Sequence, residues 1–210
     1  MPALFIPGWG AHPSLYREAL PPGWELLEPP TFRASRGSFA AYPAWLRSEL
    51  DSRTGPFVLG GHSFGAALAV LAAGSGEVPV ERLVLVNPAG LPLSKPNRAC
   101  LGAFTAQLAS GMYPLGPAAR SIGSTLAAPR SALRLARTVR SLDLSAELEA
   151  VRRRGIPCTV VTAASDTLTP PDVCRRVARL AGGDYHELAV DGGHIWFLRA
   201  ATQLRLRLAP

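Results

Sequence analysis

Short, wholly apolar runs alternate along this chain with longer stretches whose apolar residues recur at helical spacing. Residues 3–6 read Ala-Leu-Phe-Ile and stop at Pro7-Gly8, the pattern of a buried strand entering a tight loop. A weaker strand is predicted over 24–28. Between 38 and 53, Phe39, Tyr42, Trp45, Leu46 and Leu50 fall on one side of a helix, with Pro43 tolerated in its first turn. Residues 57–59 predict a strand that runs into Gly60-Gly61-His62-Ser63, and 64–73 a helix of small residues. Further strands are predicted over 83–86, ended by Asn87-Pro88, over 158–162 and over 185–190, with a closing helix over 198–208. Strands alternating with helices predict an α/β fold with a parallel sheet covered on both faces. Continuous apolarity within the strands fits burial on both faces.

One stretch breaks this alternation. Residues 91–142 hold short helical patterns interrupted by Pro92, Pro96, Pro114, Pro117 and Pro129. Charge marks the same stretch. The 210 residues carry 22 Lys and Arg against 15 Asp and Glu, a formal net charge of +7. Segment 91–142 contains no acid and holds Lys95, Arg98, Arg120, Arg130, Arg134, Arg137 and Arg140, so the rest of the chain is neutral. The organisation predicted is one α/β core, residues 1–90 and 143–210, with an inserted helical module, 91–142.

The chain is long enough to bury a core without a disulfide or metal staple. No apolar run reaches the length of a membrane span, and the start, MPALFIPGWG, lacks the features of a secretory leader. Cys100, Cys158 and Cys174 have no metal-ligand spacing and read as free thiols of a cytoplasmic protein.

The densest chemical signal is Gly61-His62-Ser63-Phe64-Gly65, of the form G-x-S-x-G. It follows a strand and opens a helix, as a nucleophile elbow requires. A serine hydroxyl needs a base to take its proton. His62 adjoins the serine and reads as structural, His12 as a surface or pocket residue of the first loop, and His186 as a residue of the last strand. His194, after Gly192-Gly193, is the histidine placed to reach Ser63. The base needs an orienting acid. Asp166, in the loop after strand 158–162, suits this better than Asp184 or Asp191, while Asp172 reads as a helix cap. The developing oxyanion needs two N–H donors, expected from the backbone of Phe64 and of Trp9. No metal or cofactor is required.

Pro7-Gly8-Trp9-Gly10, Gly61-His62-Ser63-Phe64-Gly65, Ala164-Ser165-Asp166-Thr167-Leu168-Thr169-Pro170 and Gly192-Gly193-His194 together resemble the α/β-hydrolase superfamily. Gly8-Trp9-Gly10 with the long insertion looks most like its small lidded carboxylesterases, such as the pimeloyl-acyl-carrier-protein methyl ester esterases. The resemblance implies an α/β-hydrolase fold with a sheet of about six strands. It implies a serine esterase working through Ser63, His194 and Asp166, with 91–142 as a lid. Two departures stand out. Pro7-Gly8 replaces the family's His-Gly, so the oxyanion loop is expected to be held differently. The two antiparallel strands that usually precede residues 3–6 are missing.

Arg130, Arg134, Arg137 and Arg140 share one helical face, opposite Ala132, Leu135, Val139 and Leu142. That face is either simply solvated or a docking face for an acidic carrier protein, an acidic substrate or a negative membrane surface. Nucleic acid is not expected, since no binding motif is present. Leu101, Phe104, Leu108, Met112 and Tyr113 are candidates for an acyl channel or for helix packing. Beside ester hydrolysis, the same triad could serve a lyase, acyl transfer or C–C bond hydrolysis. An idle fold acting as a binding module is the third reading.

Overall fold

A computed structural model describes residues 1–93 and 115–209. Lys95, Arg98, Cys100 and the channel candidates Leu101, Phe104, Leu108, Met112 and Tyr113 lie outside the described residues.

Six strands form one sheet: β1 Ala3–Ile6, β2 Trp24–Leu26, β3 Phe57–His62, β4 Val80–Val86, β5 Cys158–Ala163 and β6 Asp184–Leu188. Their order is β2-β1-β3-β4-β5-β6, and every pairing is parallel. The strand 3–6 is therefore next to the edge. The helices are α1 Phe32–Ser35, α2 Ala41–Asp51, α3 Phe64–Ser75, α4 Leu115–Leu126, α5 Pro129–Arg140, α6 Ser145–Arg153, α7 Pro171–Ala181 and α8 Ala201–Leu208. Short 3₁₀ turns occupy Pro13–Leu15 and Gly193–Leu198.

Successive strand residues point to opposite faces, and both faces are covered. Leu4, Ile6, Leu59, Leu83, Leu85 and Val160 pack with the apolar sides of α2, α3, α6 and α7. Phe5, Val84, Val86, Val161 and Ala163 pack on the other side with Tyr16, Trp196, Phe197, Leu204 and Leu208. This double burial is why β1 and the stretch Leu83–Val86 of β4 read as unbroken apolar runs, whereas the edge strands β2 and β6 carry exposed residues.

The boundaries differ from the expected ones where local chemistry decides. β3 continues through Gly60 and Gly61 to His62. The closing helix expected over 198–208 begins later, at Ala201, because residues 193–198 form a 3₁₀ turn with a kink at Ile195. Pro171 occupies the first turn of α7, where its missing N–H would be unpaired anyway. Cys174, Val177, Ala178 and Ala181 form that helix's buried stripe.

Winding reverses between β1 and β3, which are neighbours in the sheet with β2 on one side and β4 to β6 on the other. Such a switch point opens a crevice at the carboxyl ends of the strands. The loop Pro7–Gly10 and Ser63 both lie there. Helices α4 and α5 are inserted between β4 and α6 and pack onto this region. Trp9 Nε1 donates to the Ala132 carbonyl at 3.3 Å, and the His12 N–H donates to Ser121 Oγ at 2.9 Å. Cys158 and Cys174 are free and buried, and burial pushes both thiols up to about 12.

Candidate active site

Ser63 sits between β3 and α3 with φ 53° and ψ −115°, a conformation a non-glycine residue adopts only under constraint. The constraint is visible. Its N–H donates to the Val86 carbonyl at 2.9 Å, and its own carbonyl accepts from Ala66, Ala67 and Ala89 at 3.1, 3.2 and 3.1 Å. The sharp turn brings α3 hard against β1 and β3. A Cβ at Gly65 would collide with the Ile6 carbonyl, and one at Gly61 with the Gly65–Ala66 backbone. Only glycine fits either position.

His194 and Asp166 are brought together 28 residues apart in sequence, with Nδ1 and Oδ2 2.8 Å apart. Both are buried, at 6% and 2% exposure. Asp166 Oδ1 accepts from the N–H groups of Leu168 and Thr169 at 2.7 and 3.1 Å, and Oδ2 accepts from Thr169 Oγ1 at 2.7 Å. Burial alone would raise the Asp166 carboxyl. His194 beside it, the Thr169 hydroxyl and the Leu168 N–H outweigh that and hold it below the usual carboxylate range. An ionised Asp166 can only accept, so Nδ1 of His194 carries the proton and the lone pair is on Nε2. The two loops are also tied directly. Ser165 Oγ donates to the Val190 carbonyl at 3.0 Å and accepts from the Gly193 N–H at 3.1 Å.

A chain of hydrogen bonds runs through His62. Its Nε2 lies 2.9 Å from the His194 carbonyl, which can only accept, so Nε2 is the protonated nitrogen. Nδ1 is then an acceptor, and the Tyr16 hydroxyl 2.8 Å away donates to it. The Tyr16 oxygen in turn accepts from the Gly8 N–H at 3.0 Å. Three segments are thereby linked: the loop after β1, the elbow and the histidine turn. Burial, with the neighbouring His194 charge, holds His62 well below its ordinary value, which fits a neutral ring. The His194 carbonyl accepts a second bond, from Asn87 Nδ2 at 2.9 Å, and Asn87 Oδ1 accepts from Trp196 Nε1 at 3.1 Å.

Ser63 and His194 share a cavity of about 60 Å³ with Gly8, Trp9, Leu168 and Ile195. A second cavity, about 210 Å³, lies beside the same loop and is bordered by Trp9, Phe32, Tyr42, Phe64, Arg120 and Leu135. The Phe64 N–H is in the first turn of α3, where no intrahelical partner exists. With the Gly8 N–H committed to Tyr16, the next N–H of that loop is that of Trp9.

The other candidates lie elsewhere. His12 caps the 3₁₀ turn Pro13–Leu15, accepting from the Ser14 N–H at 3.2 Å, and borders the larger cavity. Burial, then the nearby Arg120, lowers its basicity. His186 is half-buried on β6, while Asp172, Asp184 and Asp191 are exposed. Arg130, Arg134 and Arg137 are exposed on α5 and border an open groove of about 570 Å³ together with Arg36. Arg140 is half-buried, and its guanidinium donates to the Leu93 carbonyl at 3.4 Å. Sequence reasoning missed Tyr16, Thr169, Asn87 and Arg36. For Asn87 a signal existed, an asparagine closing a buried strand, and it sits at φ 43°, the left-handed region asparagine tolerates. Among the described residues no cluster of His, Cys, Asp and Glu could hold a metal ion, and no helix is long and apolar enough to cross a membrane.

Comparison with curated proteins gives no match by sequence. Solved structures share the fold at low identity. A bromoperoxidase from Bacillus anthracis is 15% identical, with a TM-score of 0.73 over 98% of this chain and 88% of that one. A hydrolase from Oleispira antarctica is 13% identical, with a TM-score of 0.73 over 97% and 88%. The thioesterase domain from the curacin biosynthetic pathway is 20% identical, with a TM-score of 0.68 over 99% and 90%. The sequence profile of the alpha/beta hydrolase family matches residues 3–205, nearly the whole length, and the chain belongs to that family.

Proposed function

We propose that the protein is a serine hydrolase of carboxylic esters. The observation that carries this reading is the buried His194–Asp166 pair at 2.8 Å, whose histidine shares a cavity with a serine held in a strained elbow. In this mechanism His194 Nε2 takes the proton of Ser63, whose oxygen attacks the ester carbonyl. The N–H groups of Phe64 and Trp9 receive the developing oxyanion. His194 returns the proton to the leaving alcohol, and Asp166 stabilises the imidazolium and keeps the proton on Nδ1. Water, deprotonated by His194, then releases the acid from the acyl-enzyme. General-base help contributes about 10²–10⁴ in rate, and each oxyanion donor on the order of 10²–10³.

The 60 Å³ cavity suits a small leaving group, and the 210 Å³ cavity, next to the Phe64 donor, suits the acyl chain. The inserted helices act as a lid over the second cavity, through Arg120, Ser121, Ser124 and Leu135. The exposed Arg130, Arg134 and Arg137 of that lid, with Arg36, serve as a docking face for a negatively charged surface.

Turnover of a short p-nitrophenyl ester and labelling by a fluorophosphonate test the chemistry. Both are expected from the wild type and absent from Ser63→Ala. Undiminished hydrolysis by the variant would remove Ser63 from the mechanism. Failure of the wild type to be labelled would leave the fold as a binding module.

A further inference from the structure

Helix α4 is amphipathic in the wrong sense for a helix facing water. At 3.6 residues per turn, Leu115, Ala119, Ile122 and Leu126 fall within about 60° of one another. All four are exposed, with Leu115 at 89% and Leu126 at 70%. The hydroxyl side faces the body of the protein instead. Ser121 is buried and accepts from the His12 N–H, and Ser124 and Thr125 are half-buried. The neighbouring helix α5 adds Leu133, 51% exposed. Four of the six strongly exposed large apolar side chains among the described residues therefore lie on these two adjacent helices.

The same two helices carry positive charge. Arg120, Arg130, Arg134 and Arg137 are exposed on the same helices, and among the described residues none forms an ion pair. No acid occurs between residues 91 and 142. Exposed leucines beside unpaired arginines match a surface that is both apolar and negative. A soluble acidic partner would satisfy the arginines and leave the leucines in water. We propose that α4 and α5 dock on an anionic lipid bilayer, with Leu115, Ile122, Leu126 and Leu133 entering the headgroup region and the arginines pairing with lipid phosphates. This deepens the reading of α5 as a docking face, rests on that reading, and requires nothing of Ser63. Arg120 borders the larger cavity, so docking would place that cavity next to the lipid.

The test is co-sedimentation of the full chain with vesicles of phosphatidylcholine alone or mixed equally with phosphatidylglycerol, at low and high salt. Binding is expected on the mixed vesicles, weak on the neutral ones and reduced by salt. The double substitution L126S/L133S is expected to lower it at least about tenfold, since each leucine gives up its burial. The pair R130E/R134E is expected to lower it by about 25-fold or more, at roughly fivefold per arginine lost from a negative surface. Ser63→Ala should bind like the wild type, which separates this proposal from the chemistry. Circular dichroism and urea unfolding of the leucine variant check that it is folded. Absence of wild-type binding would overturn the proposal. So would vesicle binding that survives L126S/L133S and is lost only in R130E/R134E, because charge alone would then hold the protein on the vesicle and the leucines would not enter it. A stable dimer dissolved by L126S/L133S would also overturn it, because a second copy would then cover the leucines.

Discussion

Tyr16→Phe removes one oxygen and disconnects three segments. That hydroxyl, on a side chain 1% exposed, accepts from the Gly8 N–H and donates to His62 Nδ1. The phenylalanine ring still fills the space against Phe5 and Phe197, so the change creates no cavity. It leaves a buried N–H and a buried imidazole nitrogen without a partner. Each such group costs about 1–3 kcal/mol, and the two together give an expected loss of about 2–6 kcal/mol. For a domain of this size that is roughly 4–24 °C in Tm.

The effect on rate follows from where the freed groups sit. Gly8 precedes Trp9 in the loop read as an oxyanion donor, and His62 holds the His194 carbonyl through Nε2. A displacement of about 1 Å at either place is worth on the order of 10²-fold in rate. The loss is expected in kcat with KM little changed, because no group that binds the substrate body is removed. Urea unfolding and steady-state hydrolysis of a p-nitrophenyl ester read the two effects separately. A variant with wild-type stability would refute the hydrogen-bond chain. A destabilised variant with unchanged kcat would refute the positioning role and reduce Tyr16 to a packing residue.

Ser63→Gly is expected to be inactive yet about 1 kcal/mol more stable than Ser63→Ala, because glycine adopts φ 53° without strain; equal urea midpoints would show that the elbow stores no strain. His62 sets a pH dependence of stability. Burial and the His194 charge keep it neutral in the folded protein, while the unfolded chain takes up a proton near 6.5. Below that pH the unfolded state binds more protons, so stability falls as pH drops, by about 1.4 kcal/mol per unit for this one group. Urea midpoints between pH 7 and pH 5 should fall more steeply in the wild type than in His62→Gln, and parallel curves would refute the assignment.

What could be read from the sequence was what the backbone demands locally. The elbow declared itself because a strand that turns sharply into a helix tolerates only small neighbours, and Gly61 and Gly65 meet that demand. The inner strands declared themselves because both faces of a parallel sheet are dry there. Ser63, Asp166 and His194 could be singled out for the same reason, each being expected after a readable strand, and the structure sets Asp166 against His194. What stayed hidden was pairing across distance. Tyr16 meets His62 across 46 residues, and His62 meets His194 across 132. No spacing rule reaches that far, so His62 could be read as structural but not assigned its partners. Pro7 shows the consequence. Beside the family's usual His-Gly it reads as the loss of a support for the oxyanion loop. In the structure the loop is held through Tyr16 and His62, the residue just before Ser63. A loop held in this way moves with the elbow and the histidine turn rather than independently of them. The absence of the first-loop histidine is therefore no argument against activity, whereas the absence of the Tyr16 hydroxyl would be.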